Sequence, residues 1–306
     1  MGVRANSDRL FELVDDNVEV EQLGTGFVFT EGPVWHPTEH HLLFSDMPGD
    51  TRRKWSEAAG VEEVMKPSFK CNGLTYDADL NLLVCEHVTS SVVRERPDGV
   101  RELLAFHWQG KYLNSPNDIV VGADGSIYFT DPWYGRFPGF GIERERELGW
   151  QGVFRIPPGG GQDSLELIAA EDEFEMPNGL CFSPDGSLLY INDTPRAHIK
   201  VFDVRSDGSI SDGRLFAEGI GSGKVEDGGL VDGMKCDEHG NVWVTGPGGV
   251  WVFDAAGEHL GVVEIPESVG NITFGGPDWT WLFVPASKSL YRVKTKVSGN
   301  REPYMR

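Results

Sequence analysis

Residues 175–193 read EMPNGLCFSPDGSLLYIND, and this stretch contains the unit from which the whole chain is built. Two alternating apolar runs flank the turn SPDG at residues 183–186, which is the pattern of a β-hairpin. An Asn-Gly pair normally occupies a hairpin tip, but Asn178-Gly179 comes before the first strand. Because the hairpin already has a turn, Asn178 must serve another purpose.

Five other segments align with this hairpin. Each has a polar start, an alternating apolar strand, an Asp/Gly/Pro turn, a second apolar strand and a polar end. They are EGPVWHPTEHHLLFSD from Glu31, NGLTYDADLNLLVCEH from Asn72, NDIVVGADGSIYFTD from Asn117, DGMKCDEHGNVWVTG from Asp232 and GNITFGGPDWTWLFVP from Gly270. Third and fourth strand patterns, such as GVFRI and RELLAF, follow most of the hairpins. Six units of four strands predict an all-β fold, a six-bladed β-propeller formed as one domain by residues 1–306.

The two ends of the chain support this prediction independently. The sixth unit has only three convincing strands, whereas residues 18–23 (VEVEQL) form a strand pattern that belongs to no unit. We expect this N-terminal strand to complete the last blade and close the ring, which removes an exposed sheet edge. Residues 1–17 are then an N-terminal extension, with a short helix predicted around residues 8–14.

The net charge and the hydropathy of the chain indicate which classes of binding partner are not expected. The 306 residues carry a formal net charge of −21, and such a surface repels phosphate backbones and anionic headgroups, so neither nucleic acid nor a membrane is an expected partner. The sequence contains no apolar run long enough for a membrane-spanning helix, and its first residues lack the apolar core of a signal peptide. We therefore expect a cytoplasmic protein, either a monomer or a homodimer.

The four cysteines are expected to be buried, unreactive thiols. They lie in apolar strand-like runs without CxxC spacing and are Cys71, Cys85, Cys181 and Cys236. Cys71 and Cys85 could lie on neighbouring strands, so a disulfide between them is compatible with the sequence but not required by it.

One column of polar residues emerges when the six units are aligned. Two positions before the apolar triplet of each first strand stand Glu31, Asn72, Asn117, Asn178, Asp232 and Gly270. The first strand of each blade lines the central channel of a propeller, so these side chains should converge on one axis. Asn-Gly and Asp-Gly can merely start strands, but turn propensity does not explain Glu31. A ring of carboxylate and amide oxygens suits a hard divalent cation, which the column therefore predicts.

No competing catalytic motif is present in the sequence. HExxH, GxSxG, Walker A and a Rossmann glycine pattern are all absent. Among the eight histidines only His87 stands near the rim of the predicted channel, at the end of a second strand. It is either a pocket residue or an ordinary hydrogen-bonded histidine.

Several motifs together resemble one known family. In chain order they are FTEGPVW, NSPNDIVV, DGSIYFTDPWYG, MPNGLCFSPDGSLLYIND and VDGM. The set is similar to the family of gluconolactonases, senescence marker protein (regucalcin) and luciferin-regenerating enzyme, and most similar to bacterial gluconolactonases. The resemblance covers essentially the whole chain. It implies a six-bladed propeller with one divalent metal ion in the channel, and hydrolysis of a sugar lactone to the aldonic acid.

The resemblance also implies roles for individual residues. Glu31, Asn178 and Asp232 match the metal ligands of the family, while Asn117 matches a position that binds either metal or substrate. Ca²⁺ is the first expectation, with Mn, Zn, Mg or Fe as alternatives. Asp232 is the predicted catalytic residue, because it is the carboxylate best placed to move a proton; activation of water by the metal alone is the alternative.

The predicted contacts to the lactone lie around the same rim. They comprise Asn72, His87, Asn117, Asp131, Trp133 and Tyr134. Aromatic faces suit the C–H faces of a sugar, although ordinary loop packing explains Trp133 and Tyr134 equally well. The segment 136–150 that follows them is either a lid or a solvated charged loop.

Two other functions are compatible with the same features. One is hydrolysis of another ester-like bond, such as that of an aryl ester or organophosphate, at the metal. The other is a non-enzymatic propeller that binds calcium or another ligand.

Overall fold

The computed structural model describes residues 2–170 and 173–302 and consists almost entirely of antiparallel strands. Its N-terminal segment contains strand β1 (Val3–Ala5), a 3₁₀ helix (Asp8–Glu12) and strand β2 (Val20–Thr25). The Ser7 hydroxyl accepts a hydrogen bond from Arg9 N at 3.4 Å at the start of this helix, whose Leu10 is buried. The short helix expected around residues 8–14 is therefore present as a 3₁₀ helix.

Blades one to three follow in chain order, each with its strands hydrogen-bonded in sequence. Blade one contains β3 (Thr30–Trp35), β4 (Leu42–Asp46), β5 (Thr51–Ser56) and β6 (Gly60–Met65). Blade two contains β7 (Cys71–Tyr76), β8 (Leu82–Glu86), β9 (Ser91–Glu95) and β10 (Arg101–Ala105), followed by the hairpin β11 (His107–Trp108) and β12 (Lys111–Tyr112). Blade three contains β13 (Ile119–Val121), β14 (Ile127–Asp131), β15 (Gly152–Ile156) and β16 (Glu166–Ala169), with 3₁₀ helices at Tyr134–Arg136 and Gln162–Ser164.

Blades four to six repeat the same arrangement. Blade four contains β17 (Pro177–Phe182), β18 (Leu188–Asp193), β19 (His198–Asp203) and β20 (Arg214–Glu218), and the 3₁₀ helix Val225–Asp227 follows it. Blade five contains β21 (Met234–Cys236), β22 (Val242–Gly246), β23 (Gly249–Phe253) and β24 (His259–Glu264). Blade six contains β25 (Thr273–Gly275), β26 (Trp281–Ala286) and β27 (Ser289–Lys294). The predicted all-β six-bladed propeller is confirmed.

The N-terminal strand closes the ring, as predicted from the unmatched pattern at residues 18–23. Strand β2 pairs antiparallel with β27 in the register Val20↔Val293, so blade six gains its fourth strand from the other end of the chain. The structure adds a feature that the sequence did not predict. Strand β1 pairs with β24 and gives blade five a fifth strand.

The hairpin turns form as their sequences require. In the turn at residues 183–186, Gly186 N donates to Ser183 O at 2.9 Å and Gly186 adopts a φ of 72°. Hydrogen bonds from the neighbouring serines lower the pKa of Asp185 to about 2, so its carboxylate stays ionised and holds the turn.

The first strands β3, β7, β13, β17, β21 and β25 contact one another in ring order and surround the channel. Their apolar side chains and those of the second and third strands form the buried core between blades. After β27 the chain crosses the far end of this channel, where Asn300 N donates to Cys236 O at 2.9 Å and Glu302 accepts from Val121 N at 3.1 Å. The channel is therefore covered at the end where the first strands finish and is lined by the column residues where they begin.

All four cysteines are buried free thiols, and no disulfide joins Cys71 to Cys85. The closest pair is Cys181 and Cys236, with sulfur atoms 3.7 Å apart on adjacent first strands. In the part of the chain that the structure describes, no helix is both long and apolar enough to cross a bilayer.

Candidate active site

The column residues meet in one cavity of about 290 Å³ at the start of the first strands. Five of the six predicted members line it, namely Glu31, Asn72, Asn117, Asn178 and Asp232. The first four are buried, and Asp232 is partly exposed to the cavity. The sequence thus predicted correctly that these side chains converge.

The glycines that follow the column residues are required by close packing between blades. A Cβ atom on Gly179 would lie 2.1 Å from Asp232 O, and one on Gly32 would lie 1.8 Å from Asn72 O. A Cβ atom on Gly73 would likewise collide with Asn117 O, and one on Gly233 would collide with the Asn271 side chain. The Asn-Gly pair at residue 178 is therefore not a turn signal: its glycine lets the next blade's column residue approach.

Acidic residues at the ends of the second strands fix the column residues from behind. In three blades the terminal Asp of the second strand accepts a hydrogen bond from the backbone N–H three residues before the column residue. The contacts are Val28 N to Asp46 Oδ1 at 2.9 Å, Asn114 N to Asp131 Oδ2 at 2.8 Å and Glu175 N to Asp193 Oδ2 at 2.6 Å. Such bonds contribute about 0.5–3 kcal/mol each, most where the carboxyl group is ionised, so the loops that carry the column residues are held in place.

Asn178 is oriented so that its amide oxygen is left for a ligand. Its Nδ2 donates to Thr194 Oγ1 at 3.0 Å, and this hydroxyl in turn donates to Val231 O at 2.6 Å. Asn178 Oδ1 is buried and has no partner among the described residues, and the same is true of Asn72 Oδ1. Because a buried polar atom without a partner is unfavourable, both oxygens indicate a group that the protein chain does not supply.

The two carboxylates of the column interact directly. Burial raises the pKa of Glu31, whose carboxyl group lies close enough to that of Asp232 for each to shift the pKa of the other. Burial, with the nearby charges of Glu31 and Asp118, raises the pKa of Asp232 well above its usual range. Without a cation the pair favours holding a proton, since two adjacent buried carboxylates cannot both ionise readily.

The sixth column position is a glycine, Gly270, which leaves room for the Glu31 carboxyl group. A Cβ atom on Gly270 would lie 2.8 Å from Glu31 Oε1. The next residue, Asn271, instead has its side chain near the carboxyl groups of Glu31 and Asp118 and lowers the pKa of each. Asn271 and Asp118 were not singled out by sequence reasoning, although both directly follow a column position.

The residues predicted to contact the lactone are divided between two locations. Tyr134 lines the cavity together with Asn72 and Asn117, and its hydroxyl lies beside Thr194 and Asn178. His87, Asp131 and Trp133 lie outside the cavity lining.

His87 and Asp131 support the site from behind. His87 is fully buried, with Nε2 3.4 Å from Asn72 Nδ2, and burial lowers its pKa to about 4, so it is neutral at pH 7. Burial raises the pKa of Asp131 to about 7, and its carboxylate holds the backbone of Asn114. Trp133 stacks on the Arg146 guanidinium, 4.8 Å from the ring centre, and so belongs to the packing of its loop.

The segment after Tyr134 covers part of the cavity. Phe137 and Phe140 line it from this segment, and Thr194 and Leu230 line it from other blades. The first residues of segment 136–150 therefore lie over the channel, which agrees with the interpretation of this segment as a lid. Thr194 directly follows the terminal Asp of a second strand, which is a signal that the alignment of units could have revealed.

The oxygen donors suit a divalent cation. Glu31, Asn117, Asn178 and Asp232 present two carboxylates and two amides to one cavity, and hard cations such as Ca²⁺ take such ligands. Within residues 2–170 and 173–302 there is no group of three or more His, Cys, Asp or Glu side chains placed to hold a metal. A site here must therefore rely on amide oxygens, and the unpartnered Asn178 Oδ1 meets that requirement.

Comparison with known proteins identifies the family. Residues 29–288 match the model of the SMP-30/Gluconolactonase/LRE-like region. The chain belongs to this family. The resemblance predicted from the motifs is thereby confirmed.

Individual members of the family are similar over most of their length. A gluconolactonase of Zymomonas mobilis is 33% identical over 96% of this chain and 86% of its own. The pentonolactonase XacC of Haloferax volcanii is 27% identical over 83% and 80% of the two chains. The solved structure of a gluconolactonase of Xanthomonas campestris superposes with a TM-score of 0.86 at 34% identity, covering 96% of this chain and 95% of that one.

Proposed function

We propose that this family member opens sugar lactones to aldonic acids by hydrolysis that depends on one divalent metal ion. At the level of reaction class, the predicted lactone-opening hydrolase is confirmed by the gluconolactonase and pentonolactonase relatives. The sugar, the metal and the residue roles are our inference. The observation that carries them is the buried amide oxygen of Asn178, which lies unpartnered beside two carboxylates in the channel.

The metal ligands in this proposal are Glu31, Asn178 and Asp232, with Asn117 as a fourth ligand or a substrate contact. Ca²⁺ fits best because every donor is a hard oxygen and two of them are neutral amides. When bound, the cation supplies positive charge that polarises a carbonyl oxygen and lowers the pKa of water.

Asp232 moves the proton in the proposed reaction. A water oxygen adds to the lactone carbonyl carbon, the ring C–O bond breaks, and the ring oxygen leaves as an alcohol. The Asp232 carboxylate accepts the proton of the attacking water and returns it to the ring oxygen. Its position is fixed because its backbone N donates to Thr245 Oγ1 at 2.8 Å and that hydroxyl donates to Leu230 O at 2.8 Å.

Polar groups at the floor of the cavity orient the lactone. Asn72 Oδ1 is available to accept a hydrogen bond from a ring hydroxyl, and His87 holds the amide of Asn72 in that orientation. Tyr134 provides a hydroxyl and an aromatic ring to the same cavity. The cavity lining contains no Lys, Arg or His among the described residues, which favours a neutral lactone over a phosphorylated or sulfonated one.

Chelation tests the proposal. Protein stripped of divalent ions should hydrolyse glucono-1,5-lactone at least about 100-fold more slowly, and added Ca²⁺ should restore the rate. Asn178→Ala should lower Ca²⁺ affinity by roughly 10-fold or more, measured by titration calorimetry. Asn17→Ala, which changes an exposed asparagine, is the matched control. Full activity after chelation, together with unchanged metal binding by Asn178→Ala, would rule out the metal site.

A further inference from the structure

The mouth of the cavity differs from its floor. The floor presents the oxygens of the column residues, whereas six apolar side chains, here called the apolar mouth, line the rest: Phe29, Met47, Phe137, Phe140, Val225 and Leu230, of which Met47 is buried. Three of these six side chains are well exposed, with exposed fractions of 41% for Phe137, 38% for Phe140 and 72% for Val225. Exposed apolar residues that gather at the rim of a cavity indicate contact with a ligand.

The aromatic side of the apolar mouth is held in place by polar contacts, some of them buried. Arg136 is buried and donates from Nε to Asn114 O at 2.8 Å and from Nη1 to Ile142 O at 3.2 Å. Lys70 Nζ donates to Gly139 O at 3.1 Å, and His87 Nδ1 lies 3.3 Å from Phe140 O. The backbone around Phe137 and Phe140 is therefore fixed before any ligand arrives.

The rings are also packed against side chains of other elements. Phe140 meets Phe29 edge to face at a centroid distance of 5.8 Å, and Phe137 meets Tyr134 in the same way at 6.2 Å. Such a preformed aromatic wall binds apolar groups at little cost in conformational entropy.

The apolar mouth offers no hydrogen-bond partner to a polar substituent. A hydroxyl group placed against these side chains loses its water partners and gains none from the mouth. A methylene group placed there is removed from water, which strengthens binding by about fourfold for each CH₂ that is fully covered. The cavity therefore has a polar end for a lactone ring and an apolar end for a substituent on that ring.

We propose that the site has a further activity beside the opening of sugar lactones: it opens neutral lactones whose ring carries an apolar alkyl or aryl substituent. The inference rests on the proposed function, since the same lactone hydrolysis is its reaction. Water adds to the carbonyl carbon, the ring C–O bond breaks, and a hydroxy acid bearing the substituent is released without any oxidant or reductant.

A pair of substrates that differ only in the substituent tests this inference. δ-Valerolactone has no substituent, and δ-nonalactone has the same ring with a butyl chain. Burial of the butyl chain should raise kcat/KM for δ-nonalactone at least tenfold above that for δ-valerolactone, with most of the gain in KM. Equal values for the two substrates would overturn the inference.

Variants of the apolar mouth locate the effect. Phe137→Ala and Phe140→Ala should each reduce the ratio of the two kcat/KM values about threefold or more, and Phe137→Leu should retain most of it. Leu215→Ala is the matched control, because Leu215 is 52% exposed on the outer strand of blade four, away from the cavity. An unchanged ratio in both alanine variants, or a change in oligomeric state as their only effect, would assign the apolar mouth to docking and overturn the inference.

Glucono-1,5-lactone separates this inference from the proposed function. If the enzyme opens that sugar lactone but shows no preference for the butyl substituent, the further inference fails alone. If it opens only the apolar lactones, the sugar specificity fails and the further inference stands. If it opens no lactone, both fail.

Discussion

At the scale of single residues, Asp232 combines two roles that one substitution can separate. Asp232→Asn keeps an oxygen ligand of the same size but removes the charge and the basicity. If the Asp232 carboxylate is the base, this variant should bind Ca²⁺ and lose roughly 100-fold or more in kcat, the usual range for loss of a general base. Asp232→Ala should lose both metal binding and activity.

The measurements are calorimetric Ca²⁺ titration and lactone hydrolysis at saturating metal. Asp79→Asn makes the same chemical change at an exposed hairpin position and should leave both quantities unchanged. A rate for Asp232→Asn equal to that of the wild type at saturating Ca²⁺ would exclude the role of base and assign the activation of water to the metal alone.

The sequence predicted which polar residues converge on the channel, and their roles stay predictions. The column is visible in the sequence because each of its members stands at the same place in a repeated hairpin. His87, Asp131 and Trp133 were assigned to the lactone because they lie near the same rim in the sequence, but their side chains support or pack against the lining. Strand patterns show where a residue stands along the chain and do not show which of two buried directions its side chain takes.

At the scale of elements, close packing of neighbouring first strands determines the geometry of the site. Gly179→Ala should displace Asp232, because the new Cβ atom would lie 2.1 Å from Asp232 O and 2.9 Å from Asn192 Nδ2. We expect a loss of about 1–3 kcal/mol in stability from overpacking, and Ca²⁺ affinity at least tenfold lower. Gly149→Ala is the control, since no atom lies within 4 Å of its added Cβ. Unchanged metal affinity in Gly179→Ala would mean that the strands can separate without disturbing the site.

Pairing of β2 with β27 should be needed for the protein to stay soluble. Deletion of residues 1–25 removes β2 and exposes the edge of β27, so the truncated protein should aggregate. Deletion of residues 1–6 removes only β1, after which blade five keeps its four strands, and this protein should stay soluble and active. Soluble yield, size-exclusion chromatography and lactone hydrolysis measure the difference. Soluble, fully active protein from the longer deletion would refute closure by β2.

The closing strand could be predicted from the sequence because a missing strand at one end matched a surplus strand at the other. The pairing of β1 with β24 could not be predicted. It involves three residues, Val3–Ala5, too few to show an alternating pattern. The apolar mouth was also missed, since its residues come from loops of different blades and only Phe29 and Leu230 share a position in the repeat, two residues before a column residue.

At the scale of the whole molecule, six blades and the C-terminal crossing leave one cavity lined by the column residues. Asn300 and Glu302 connect blades at the far end of the channel, so the carboxylates of the site are surrounded by protein on all sides but the mouth. Their burial raises the pKa of Glu31 and of Asp232. The stability of the entire ring should therefore depend on pH and on the metal together.

The direction of this dependence follows from proton linkage. In the unfolded chain both carboxyl groups have ordinary pKa values near about 4, whereas in the folded, metal-free protein their pKa values are raised. Between the unfolded and folded values the folded state binds more protons, so stability is greatest below the unfolded pKa and falls as pH rises. Asp131, with its pKa raised to about 7, contributes the same trend.

Bound Ca²⁺ should abolish the pH dependence of stability that comes from Glu31 and Asp232, but not the part that comes from Asp131. Because bound Ca²⁺ favours ionised ligands, its stabilising effect should grow as pH rises from about 5 to about 8. One pKa unit corresponds to about 1.4 kcal/mol, so saturating Ca²⁺ should raise the Tm by several °C more at pH 8 than at pH 5. Calorimetric scans of Glu31→Gln should show most of this difference lost, and scans of Glu19→Gln, at an exposed position, should retain it. A Ca²⁺-induced rise in Tm that is the same at both pH values would mean that Glu31 and Asp232 do not hold the metal as an ionised pair.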